Sequence, residues 1–131
     1  MRLPVLVGAA GLAATVLLHF RDPHAYGSYG LCPFHFLTGL WCPGCGGLRA
    51  VNDLTGLDVG AAVSSNVLAV VLVAGLGMAY LLWLPRRWRG DHRPLVRPGP
   101  RAVNRTVTLA VAAIVVFTVV RNTPWGTWLA P

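Results

Sequence analysis

From Gly60 to Leu84 the chain runs for 25 residues without one charged side chain. Only a few environments accept such a segment, and a helix crossing a lipid bilayer is the foremost of them. Asp58 stands just before it, a good N-cap residue whose negative charge suits the positive helix end. Trp83 and Trp88 fall where an aromatic belt meets the headgroups.

Two further segments read the same way. Leu3 to Phe20 is an apolar run interrupted by Thr15 and His19, and at 1.5 Å per residue it covers roughly 27 Å, just enough for a bilayer core. No small-x-small cleavage site follows it; Arg21, Asp22, Pro23 and His24 come next, so an uncleaved helix is expected. Val103 to Val120 is the third run, with Arg105 able to snorkel and Arg121 closing it. The expectation is one all-α integral membrane domain over 1–131, with spans at about 3–20, 60–84 and 103–120. Composition agrees: 55% of residues are hydrophobic and 11% charged, against about 25% charged in soluble domains.

The net charge of +7 does not point to nucleic acid. Arg86, Arg87, Arg89, Arg93, Arg97, Arg101 and Arg105 crowd around one loop, 85–102, where Pro94, Pro98 and Pro100 break any helix and no interleaved aromatics could stack on bases. Such a loop is expected in the cytoplasm, against anionic lipid headgroups. The N-terminus then lies on the same side, and the loop 21–59 and the tail 121–131 lie extracytoplasmically. Small residues recur four apart at Ala9/Ala13, Ala10/Ala14 and Gly75/Ala79, a pattern that permits close helix approach without specifying a homo-oligomer.

The far-side loop carries the chemistry. Cys32-Pro-Phe-His35 and Cys42-Pro-Gly-Cys45-Gly46 are two ligand-x-x-ligand units separated by six residues. Together they offer Cys32, His35, Cys42 and Cys45, the set of a tetrahedral structural Zn2+ site. An oxidising compartment would instead favour a disulfide among the cysteines. A third reading is reactive thiols at Cys42 and Cys45, since a thiol ahead of a helix has a lowered pKa; plain buried cysteines are the fourth. The following Leu48, Val51 and Leu54 share one face of a short amphipathic helix lying at the membrane surface, stopped at Gly56. Arg49 is expected to satisfy loop carbonyls or to pair with Asp53. No catalytic set is apparent, so a non-enzymatic protein is favoured.

Cys32-Pro-Phe, Thr38-Gly39-Leu40, Cys42-Pro-Gly-Cys-Gly-Gly, Arg49-Ala50, Gly60-Ala-Ala and Asn66, with the tail Val120-Arg-Asn122-Thr-Pro124 and Trp128-Leu-Ala-Pro131, resemble an uncharacterised bacterial family of small multi-pass membrane proteins, a domain of unknown function. The resemblance implies a bacterial inner-membrane location and that the cysteine core, Arg49, Asn66, Arg121 and Asn122 belong together as one polar cluster. It implies no activity. The expected function is a partner-binding module of an envelope or transport assembly with a metal- or disulfide-stabilised loop. The alternative is a membrane thiol–disulfide or metal-handling protein using Cys42 and Cys45.

Overall fold

A computed structural model describes residues 2–25, 29 and 32–130. Its elements are α1 (Arg2–Phe20), α2 (Pro33–Thr38), α3 (Gly47–Thr55), α4 (Val59–Trp88), α5 (Pro100–Arg121) and a 3₁₀ turn at Thr127–Leu129; no strand occurs among the described residues. Helices α1, α4 and α5 are long and apolar enough to cross a membrane, and they are the three runs read from hydropathy.

The second span is not one helix. At Asn66 the backbone is extended, with φ −169° and ψ 98°, and its Oδ1 accepts a hydrogen bond from the Ala69 N–H at 3.0 Å. That is an N-cap, so a new helix begins at Val67. From there to Trp88 it reaches about 33 Å, a bilayer's thickness. The short piece before the break has its own cap, the Asp58 carboxylate accepting from Ala61 N–H at 2.8 Å.

The main packing element is the nine-residue α3. It lies against α4 with Ala50 fully buried. It also grips the end of α1: Asn52 Nδ2 donates to the Leu18 carbonyl at 2.7 Å, and Thr55 Oγ1 lies 2.8 Å from His19 Nδ1. The long helices meet one another sparsely. One meeting is at Gly8, where a Cβ would overlap the Tyr80 hydroxyl, which donates to the Pro4 carbonyl at 3.1 Å. Gly75, part of an expected small-residue face, has open space around it.

Beyond α5 the chain doubles back. Gly126 lies so close to the Val120 carbonyl that a side chain there would collide with it. The 3₁₀ turn packs against α4 and α5.

Candidate functional site

The site is a turn held from below. Cys32 is the N-cap residue of α2, and Gly39, in the left-handed region at φ 69°, ends that helix. The Cys42–Cys45 turn closes with Cys45 N–H donating to the Cys42 carbonyl at 3.1 Å. Gly46, at φ 78°, then swings the chain into α3, a conformation that strains any residue with a Cβ.

Four carbonyls around this turn are bonded by side chains from α4 and from the end of α5. Asn66 Nδ2 donates to Pro43 O at 2.8 Å and to Cys45 O at 3.0 Å. Arg121 Nη1 donates to Cys42 O at 2.9 Å and Cys45 O at 3.1 Å, and its Nη2 to Leu129 O at 2.9 Å. Asn122 pairs with Trp41 in both directions, Oδ1 accepting from its N–H at 2.8 Å and Nδ2 donating to its carbonyl at 2.9 Å. Asn66 and Arg121 are each only 1% exposed, so these bonds form away from water, where leaving them unmade is costly.

With its carbonyls taken, the turn gathers its sulfurs. Cys32 Sγ lies 3.5 Å from Cys42 Sγ, and Cys42 Sγ lies 2.8 Å from Cys45 Sγ. All three fall within 4.8 Å of one another and could hold a metal ion. Thiolates each about 2.3 Å from one tetrahedral centre sit on the order of 3.8 Å apart, so Cys32 and Cys42 stand close to that spacing and Cys42 and Cys45 would have to part to reach it. The thiols are not equivalent. The His35 N–H, with help from the Cys45 and Cys42 thiols, draws Cys32 down to about 7. Burial, and then the neighbouring Cys42 and Cys32 thiols, push Cys45 up to about 12.

His35 departs from the expected four-ligand set. Its Nδ1 lies 3.1 Å from the Leu40 carbonyl, its ring stacks on Trp41 with centroids 4.0 Å apart, and it lies outside the sulfur group. The i, i+3 spacing survives, but the Gly39 turn offers the imidazole a carbonyl and an indole face, and it takes both. Arg49 does not bond the turn carbonyls that Asn66, Arg121 and Asn122 hold. Its Nε donates to the Pro23 carbonyl at 3.3 Å, one of the two roles expected of it.

Asp53, the other expected partner of Arg49, is engaged otherwise. His24 Nε2 lies 2.8 Å from its Oδ1, and Ser65 Oγ donates to its Oδ2 at 2.9 Å. This chain joins the loop after α1 to α3 and to the break in α4. No sequence spacing demands it, because His24 and Asp53 are 29 positions apart. The Leu129 acceptor was equally hidden, since nothing in the spacing of the tail shows that it folds back onto Arg121.

The family model described as a protein of unknown function (DUF2752) matches residues 32–80. The match spans all three cysteines, Arg49 and Asn66, and ends before Arg121 and Asn122. No curated protein and no solved structure matches the chain.

Proposed function

We propose that this is a three-span integral membrane protein in which Cys32, Cys42 and Cys45 bind one soft divalent metal ion, Zn2+ foremost, and that the stapled loop is a non-enzymatic, partner-binding module of a membrane assembly. The observation that carries the reading is the convergence of three sulfurs on a turn whose carbonyls are already bonded from beneath. Structural zinc takes four ligands. Three come from this chain, and the fourth position is where a side chain of a partner protein would enter. Metal binding and partner binding are then one property of the loop.

In this reading the arginine-rich loop faces the cytoplasm and its anionic headgroups, and the cysteines face the extracytoplasmic side of a bacterial inner membrane. The 2.8 Å approach of Cys42 and Cys45 sulfurs favours one rival, a thiol–disulfide pair.

Metal content decides between them. The untagged protein, purified in mild detergent without chelator, should carry about one zinc per chain by elemental mass spectrometry, and Cys42→Ser should lose it. Protein without metal, but with a Cys42–Cys45 disulfide in its peptide map, would overturn the metal reading in favour of redox thiols.

A further inference from the structure

We infer that Arg121 is the built-in counter-cation of the sulfur site: a fixed positive charge beneath the turn that makes a complex of three thiolates with a divalent ion electrically neutral. The inference rests on the metal reading above and adds the residue that balances its charge.

Arg121 is 1% exposed and its guanidinium stays charged at any ordinary pH. Its partners are the carbonyls of Cys42, Cys45 and Leu129 and the face of Phe117, 4.9 Å from the guanidinium carbon. All of these are uncharged, and its Nε has no partner. The chain has four acidic residues, and each is engaged elsewhere. Asp53 faces His24 and Ser65, Asp58 caps α4, Asp91 meets Arg86 and the Arg93 N–H, and Asp22 accepts from His24 N–H. Among the described residues, then, no anion lies beside this buried cation, an expensive arrangement.

Arg121 reaches three carbonyls with its larger donor set, but bonding such carbonyls does not in itself require a charge. Asn66 and Asn122 bond neighbouring carbonyls with neutral amides. What a cation adds is compensation for an anion, and two of the three sulfurs belong to residues whose carbonyls Arg121 holds. Metal binding strips the protons from coordinating thiols. Three thiolates and a divalent ion leave one net negative charge, which the guanidinium cancels.

Cd2+ is the probe, because each Cd–thiolate bond adds to an ultraviolet charge-transfer band and so reports how many sulfurs are bound. The full chain in detergent is titrated as wild type, Arg121→Lys and Arg121→Gln. The wild type should bind one Cd2+ with three thiolate bonds. Arg121→Gln keeps part of the donor set and no charge, and should bind at least about tenfold more weakly, the reach of a modest electrostatic term, with a smaller band per ion. Arg121→Lys should recover most of the affinity. A second pair leaves Arg121 untouched: Phe117→Glu places a competing anion on the guanidinium and should weaken Cd2+ binding, whereas Phe117→Gln should not. Arg121→Gln matching the wild type, or outperforming Arg121→Lys, would overturn the counter-cation and leave the metal site standing. Should the Arg121 variants fail to fold, equal Cd2+ affinity in the two Phe117 variants overturns it instead. A wild type that binds no Cd2+ overturns both readings together.

Discussion

Asn66 carries two roles in one amide. Its oxygen starts the membrane-spanning half of α4 and its nitrogen holds two carbonyls of the cysteine turn. Asn66→Ala should therefore cost about 2–4 kcal/mol, a lost cap plus stranded buried carbonyls. Asn66→Asp keeps the cap and should retain part of that, both read from thermal loss of the near-ultraviolet signal of the tryptophans. The thiols should separate by reactivity in the reduced, metal-free protein. Cys32, drawn down to about 7, should be alkylated first, its rate rising as pH climbs through that value because only the thiolate attacks. Cys45, buried and pushed up to about 12, should be last; equal rates at the two positions would contradict this geometry. At this scale the sequence displays which residues are unusual, since Asn66 and Arg121 stand in or beside apolar runs. It does not display which carbonyl each one meets. His35 shows the limit, because the same spacing serves a ligand and a ring turned onto Trp41.

Among elements, the long helices were legible because lipid imposes one simple demand, an apolar run of sufficient length. The Asp58 cap and the Gly56 stop were legible because both are local. The break in α4 was not. Hydropathy runs straight through Asn66, and the carbonyls its amide meets at the break belong to a segment some twenty residues away. The small-residue pattern was a poor guide for a related reason: spacing shows where an approach is possible, and the tertiary fold selects where it happens. Gly8→Leu should push α1 away from Tyr80 and destabilise the pair by about 1–3 kcal/mol, as overpacking does. Gly75→Leu, facing open space, should leave stability nearly unchanged. The two variants, compared in one detergent by thermal unfolding, provide the check.

For the whole molecule, the proposed orientation is open to direct measurement. With the native cysteines replaced by serine, a single cysteine at His92 should react with an impermeant maleimide only in inverted vesicles. A cysteine at Leu40 should react only from the opposite side. Reversal of that pattern would place the sulfur cluster in the cytoplasm and remove the partner-from-outside reading. The sparse contact between spans carries a different consequence. Packing is concentrated at one end, where α3, the cysteine turn and the tail bind α1, α4 and α5 together. Each span can insert by itself and hold its helix through its own backbone bonds, leaving assembly as a second, separate stage. Opening that clasp would release three intact helices into the bilayer, so helicity would persist while the tertiary structure is already lost.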